Sequence, residues 1–445
     1  MTTLNCQDGP WLFELGRKKF ARAFFWSEPR SENIVIGFAN HANNSADPRP
    51  STGLPLFGGL AFDSSYDSNH DSSYDSSHDS SDEWRDFGSG SMWAAQIQVN
   101  LHPDSYEVTC PSVTDPSQPT QQSEMLSYAD ETATTPWQSQ WQSLMDSYRI
   151  NKKQNTPNSI ATELDSALLT VTSSSNLSEW THMLQQAFAV MDESELRKIV
   201  LARRLKIEAP VAFAIPEVLT YLRKTYPTAF VFAFSIHGRC FLGATPERLM
   251  KLTGRELETM GLAGTARRGR DPEEDAKLGE ALLASQKDLD EHAFVTAMLR
   301  EILTENCDSL DISKHPQLMK LNNVQHLYTP VRGHLKEHCT LLELVHQLHP
   351  TPAVGGDPRA LALEWIRKLE NFNRGWYAGP IGHIDRHGSG DFAVALRCAL
   401  IDDKTAYLYA GCGIVRDSIP DLEFRETELK FQAMLKALGI QSLTQ

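Results

Sequence analysis

The stretch Phe230–Gly243, FVFAFSIHGRCFLG, contains two apolar runs that are far too short to cross a membrane and suit core strands. It reads as two strands, Phe230–Ile236 and Arg239–Gly243, that follow one another with no helix between them. Further strands are expected at Lys198–Ile207 and Leu249–Leu252. Near the C-terminus, Asp391–Ile401 (DFAVALRCALI) and Thr405–Ala410 read as a hairpin around Asp402-Asp403-Lys404. Helices are predicted over Trp137–Ile150, Ser178–Met191 and from Pro420 to Leu438. Apolar or small residues at Leu278, Leu282, Ser285, Leu289, His292, Thr296, Leu299 and Leu303 predict one long amphipathic helix over Glu274–Asn306. Strands and helices mix without regular βαβ alternation, so the expected fold class is α+β. Neither GxGxxG nor GxxxxGK[ST] occurs to suggest a nucleotide.

The 445 residues carry 42 basic and 57 acidic side chains, a formal charge of −15. With no sustained Lys/Arg stripe, such a chain meets repulsion from a phosphate backbone, which argues against a nucleic-acid partner. A membrane is excluded as a partner on the same sequence, because no apolar run approaches the roughly 20 residues of a spanning helix. The N-terminus MTTLNCQDGPWLFELG lacks the pattern of a signal or transit peptide, so a cytoplasmic location is expected. Seven scattered cysteines do not build a disulfide scaffold, and no C-x-x-C pair suggests zinc.

Between Asp63 and Ser81 the chain reads DSSYDSNHDSSYDSSHDSS, a polar repeat that cannot bury a core and is expected to be a solvated loop expansion. It interrupts a segment that looks folded, with Phe20–Phe25 and Ile34–Phe38 before it and Trp84, Phe87 and Met92–Val99 after it. Gly58-Gly59 reads as a strand-ending turn, and the polar stretch Pro111–Thr135 as a linker.

Several groups of residues can carry chemistry. On the last helix Glu423, Glu426 and Lys430 fall within about 60° of arc, and two carboxylates one turn apart suit a hard cation such as Mg²⁺ as well as a merely solvated face. KDLDEH places Glu291 at the rim of an apolar stripe, where it faces either a cleft or solvent. Gly411-Cys412-Gly413 after a strand, and Gly261–Thr265 between strand and helix, offer open backbone N–H groups or plain turns. Lys198 heads an apolar strand, in reach of a buried face or of a surface partner. The segments His349–Gly356 (HPTPAVGG) and Asn373–Gly382 (NRGWYAGPIG) are rich in Pro and Gly and read as fixed loops.

Taken in order, KIVLAR, GATPERL, GLAGTARRG, KDLDEH, VQHLYTPVRG, LHPTPAVGG, NRGWYAGPIG, ALRCALI and GCGIV followed by EFRETELK resemble the chorismate-utilising enzymes, which make isochorismate, salicylate, anthranilate or aminodeoxychorismate. The resemblance covers about Leu177 to Leu438. It implies a chorismate-binding fold of antiparallel sheets packed with flanking helices, divided here into a loosely matching N-terminal region, 1–168, and a catalytic region, 169–445. Chorismate is the implied small-molecule substrate. The resemblance further implies that Glu291 and Glu426 carry Mg²⁺, with Glu423 close by or acting through water. Arg397, Tyr377, Lys430 and the backbone at Gly413 would hold the enolpyruvyl carboxylate, Gly264 and Thr265 would lie against the ring carboxylate, and His326 would sit near the C4 hydroxyl.

Lys198 and Glu247 match the positions of a general base and a general acid in family members that act on water. Water would add at C2 as the C4 hydroxyl leaves, giving isochorismate. That demands a neutral lysine and a protonated glutamate, against reference pKa values of about 10.4 and about 4.3. The apolar KIVLA strand is expected to supply the desolvation for Lys198. Ammonia-using members usually carry Gln at the Lys198 position. Ala353 stands where salicylate- and anthranilate-forming relatives commonly have Thr, which favours isochorismate over further elimination of pyruvate; a salicylate synthase or a silent family member are the alternatives. The sequence leaves open the oligomeric state and whether the product feeds menaquinone or a catecholate siderophore. Cys412 is a small residue that suits its turn, at the risk of oxidation.

Overall fold

A computed structural model describes residues 4–40, 55–63, 83–109, 136–154, 168–320 and 324–441. The polar stretch 111–135 and, beyond Asp63, the repeat at 63–81 lie outside the described residues.

The deciding strands form as read, and their burial explains their composition. Phe230, Phe232, Phe234 and Ile236 point into one core, while Val231 and Ala233 point into another. Successive side chains leave opposite faces of a strand, so a strand buried on both faces must be apolar throughout. Phe230–Ile236 and Arg239–Thr245 pair as an antiparallel hairpin, with His237 and Gly238 both at positive φ in its turn.

In the first sheet the strands lie in the order Gly356–Asp357, Lys198–Glu208, Thr405–Ile414, Cys398–Asp402, Arg239–Thr245, Phe230–Ile236, Arg22–Ser27, Ile34–Ala39, Ile97–Leu101 and Tyr106–Thr109, with Thr170–Ser173 also beside Lys198–Glu208. The second runs Cys307–Ile312, Val324–Leu335, Glu256–Arg267, Arg248–Thr253, Gly390–Val394, Pro380–Ile384, Leu56–Leu60 and Gly90–Ala94, with Gln317–Lys320 beside Val324–Leu335. The pairings are antiparallel, as the α+β expectation requires. One core, holding Phe24, Trp26, Phe57, Trp93, Phe241 and Trp376, unites residues of both sheets with the buried sides of helices Leu177–Glu193 and Gln286–Asn306. The other lies across the first sheet, under helices Gly9–Arg17, Ile215–Thr225 and Pro420–Ala437.

Four local expectations are corrected. The helix expected over Glu274–Asn306 is two, Pro272–Ala284 and Gln286–Asn306, because Ser285 is extended and its side chain caps the second helix at the Asp288 N–H. The run Asp391–Ile401 is also two strands: Gly390–Val394 belongs to the second sheet and Cys398–Asp402 to the first, and the chain turns between them with Arg397 at φ +48°. Only the second of these forms the hairpin with Thr405–Ile414. Gly58 and Gly59 lie inside Leu56–Leu60 rather than at its end; a Cβ on Gly58 would stand 1.9 Å from the Ser91 carbonyl oxygen, and one on Gly59 would stand 2.7 Å from the Trp376 ring. Gly261–Thr265 and Gly411–Gly413 likewise sit within strands, Glu256–Arg267 and Thr405–Ile414, and not in turns.

Candidate active site

Lys198 opens its strand with no exposure to solvent. Along one side that strand pairs with Thr405–Ile414 from Ile199↔Ile414 to Glu208↔Thr405. Along the other side the short strands Gly356–Asp357 and Thr170–Ser173 pair with its two ends, and loops and side chains fill the interval between them. The Val200 N–H donates to the Gly355 carbonyl at 2.8 Å, and the Ala202 N–H to Glu370 Oε1 at 2.8 Å. Arg374 Nη2 donates to the Val200 carbonyl at 2.7 Å, and the Arg204 N–H to Ser174 Oγ at 2.8 Å. Arg374 and Glu370 are themselves a buried ion pair, 2.5 Å apart. Buried backbone groups require such partners. The backbone around Lys198 is thereby tied to both proline- and glycine-rich loops, since Arg374 also donates to the Val354 carbonyl at 3.0 Å.

From this position Lys198 Nζ donates to Glu291 Oε1 at 2.8 Å. Glu291 comes from helix Gln286–Asn306, which packs on the second sheet. Helix Pro420–Ala437, packed on the first sheet, brings Glu423, Glu426 and Lys430. Lys430 Nζ contacts Glu426 Oε1 at 2.7 Å and the Gly411 carbonyl at 2.8 Å. Lys287 Nζ lies 3.6 Å from Glu423 Oε1. Gly413 is where strand and side chains come closest: a Cβ there would stand 2.9 Å from Lys198 Cε and 3.2 Å from Glu291 Oε1.

Burial and neighbouring charge set the protonation of the group. Burial opposes ionisation of Glu291, but Lys198, followed by Lys430 and Lys287, outweighs it and holds the carboxyl below the usual range. Glu423 is pushed up, first by burial and then by the negative charge of Glu426. Glu247 lies between Arg239–Thr245 and Arg248–Thr253, and its carbonyl accepts from the Val394 N–H at 3.0 Å. Burial raises its carboxyl to about 7, even though Lys198 and Lys430 act to lower it. His326, on Val324–Leu335, is lowered to about 3 by burial, then by Arg397 and Lys430. Its ring is therefore neutral near pH 7. Nδ1 is 2.9 Å from Thr265 Oγ1, while the buried Nε2 has no hydrogen-bond partner among the described residues. The register slips between Ala263 and Thr265, with Gly264 at φ +73° in the bulge; that slip sets Thr265 opposite His326.

The fold thus gathers Lys198, Glu247, Glu291, His326, Arg397, Gly413, Glu423, Glu426 and Lys430 from both sheets and two helices. Burial lowers the pKa of Arg397, whose guanidinium has no ion-pair or hydrogen-bond partner among the described residues. Tyr377 is buried with its ring stacked on Tyr409, and a Cβ on Gly411 would stand 3.0 Å from its hydroxyl. Ala353 packs against the shared core in the loop tied to Val200. Among the described residues, no three His, Cys, Asp or Glu side chains converge as a ready metal cage. The donors nonetheless suit Mg²⁺: all are carboxylate oxygens, and Glu423 and Glu426 repel one another in a way that a cation would relieve. Sequence reasoning gave no role to Lys287 and Arg374, though both stand in the motifs it singled out, and missed Glu370. The i, i+4 spacing of Glu370 and Arg374 was the available signal for that pair.

The family model described as chorismate binding enzyme matches residues 3–439, and the chain belongs to that family. It is 40% identical over 275 residues to isochorismate synthase MenF of Bacillus subtilis, covering 62% of this chain and 58% of that protein. It is 45% identical over 262 residues to the salicylate biosynthesis isochorismate synthase of Pseudomonas aeruginosa, covering 59% and 55%. The matched part thus spans little more than half the length of these curated relatives. Among solved structures, the menaquinone-specific isochorismate synthase MenF of Escherichia coli shares the fold, with a TM-score of 0.73 at 24% identity over 96% of this chain and 91% of that one.

Proposed function

We propose that the protein converts chorismate to isochorismate. The reading rests above all on one observation: Lys198 and Glu247 are both buried in one charged cluster, and Glu247 is raised to about 7, so its carboxyl keeps a proton to give near neutrality. Lys198 Nζ takes a proton from a water whose oxygen bonds to C2 of the ring. The ring double bonds shift, the C4–O bond breaks, and Glu247 gives its proton to the departing hydroxyl, which leaves as water. One water enters and one leaves, as an isomerisation requires. To act in this way Lys198 must first lose its ammonium proton and surrender its hydrogen bond to Glu291, so the base is the neutral amine.

Arg397, Tyr377, Lys430 and the Gly413 N–H bind the enolpyruvyl carboxylate. The unpaired guanidinium of Arg397 supports this role, because an anion would supply the partner it lacks. Gly264 and Thr265 lie against the ring carboxylate, and neutral His326 presents Nε2 near the C4 hydroxyl. Glu291 and Glu426 would hold Mg²⁺, with Glu423 close by or acting through water. The ion supplies positive charge to the ring carboxylate when bound. Ala353, lacking a hydroxyl, fits a reaction that stops at isochorismate.

Purified protein incubated with chorismate, with and without Mg²⁺, tests the proposal by chromatography against standards and a parallel pyruvate assay. Mg²⁺-dependent isochorismate without pyruvate is expected. Salicylate with equal pyruvate would replace this reading with a salicylate synthase, and absence of any product would overturn it.

A further inference from the structure

Each of the three carboxylates assigned to the metal faces its own lysine: Glu291 faces Lys198 at 2.8 Å, Glu426 faces Lys430 at 2.7 Å and Glu423 faces Lys287 at 3.6 Å. Lys198 and Lys430 have roles in the proposed chemistry, and each makes a hydrogen bond that fixes it. Lys287 has neither. Its separation from Glu423 exceeds hydrogen-bond length, so charge alone holds the pair. The two partners are unequally placed, because the Lys287 side chain is 49% exposed and that of Glu423 only 7%. Lys287 can swing into water at little cost, whereas Glu423 cannot leave, and losing its counter-charge would leave a buried carboxylate beside Glu426.

We propose that Lys287 is an internal counter-cation that competes with a divalent cation for Glu423. It neutralises the carboxylate while the metal is absent and withdraws to solvent when the metal arrives. Lys287 therefore weakens metal affinity rather than contributing to it. The inference rests on the metal reading given above.

The test is isothermal titration of Mg²⁺ alone into the full chain without chorismate, with the resonance of Mn²⁺ in the same variants as a second readout. Lys287→Gln should bind Mg²⁺ about three- to ten-fold more tightly than the parent, the range expected for releasing one partly exposed ion pair next to a divalent ion. Lys287→Arg, which keeps the charge, should bind like the parent. Unchanged or weaker binding by Lys287→Gln would overturn the proposal, the latter by making Lys287 a support for Glu423. A Glu291→Gln variant separates the two readings. If it loses Mg²⁺ while Lys287→Gln is unchanged, only this inference fails; if parent and Glu291→Gln bind alike or not at all, the metal site falls and takes this inference with it.

Discussion

Replacing Glu247 with Gln removes one proton equilibrium and leaves a side chain of nearly the same shape. The carboxyl is raised from 4.5 to about 7 in the folded protein, chiefly by burial. A folded-state pKa above the unfolded one means that the native state holds the proton more tightly. The stabilisation is complete below the unfolded value of 4.5 and is lost as pH rises through about 7. That difference corresponds to about 3 kcal/mol over the full range, most of which falls between pH 5 and pH 8. The amide cannot ionise, so Glu247→Gln escapes this loss. Urea unfolding of parent and variant, followed by tryptophan emission at several pH values, should show the variant gaining about 2 to 3 kcal/mol on the parent from pH 5 to pH 8. Other groups that titrate in this range, such as buried Asp391, are common to both proteins and cancel in the difference. A pH-independent difference, or one that moves in the parent's favour, would refute the burial argument whatever the variant's activity. Turnover of the variant should fall about 10²- to 10⁴-fold, since the proposed acid is gone.

Lys198→Ala should lower kcat by about 10²- to 10⁴-fold while chorismate binding, measured by calorimetry, survives; lost binding with normal turnover of the bound fraction would remove the base assignment. Gly413→Ala puts a methyl 2.9 Å from Lys198 Cε and 3.2 Å from Glu291 Oε1, so kcat should fall at least about ten-fold with the fold intact by circular dichroism; parental kcat would mean that this spacing is not needed. Glu370→Ala leaves Arg374 buried without its carboxylate and should cost about 3 to 5 kcal/mol in urea unfolding; a loss under about 1 kcal/mol would show that the backbone carbonyls alone satisfy the guanidinium.

Elements with an unbroken apolar pattern were legible in the sequence because burial on both faces leaves a mark at every position. Phe230–Ile236 and the first half of the strand opening at Lys198, Ile199–Ala202, are examples. The break at Ser285 was not legible, because a serine fits a helical stripe of small residues as well as it fits a cap, and the capping hydrogen bond decides only once the chain turns. The split of Asp391–Ile401 was hidden for a related reason: Val394, Ala395 and Leu400 enter the same core, and nothing in an apolar run says which sheet each residue pairs with. Gly58 was read as a turn, and Gly413 as a turn or an open N–H, where close approach within a strand accounts for them: the Ser91 backbone at Gly58 and the Lys198 and Glu291 side chains at Gly413 are partners distant in the chain. At the site, the carboxylates and lysines were named from motifs, whereas their pairing is a matter of distance. Glu291 is 93 residues from the Lys198 that holds it.

The strand that carries Lys198 runs next to the end of its sheet, and an unpaired strand there would present a row of free amides and carbonyls on which another polypeptide could add. Glu370, Arg374, Ser174 and Gly355 fill that row with hydrogen bonds, while the two-residue strand Gly356–Asp357 closes its first turn of pairing. The groups that steady the backbone beside Lys198 therefore also deny this rim to fibril-like growth. A change selected for altered chemistry near Lys198 would put solubility at risk as well as rate, and a screen for such variants should count soluble protein before it counts product.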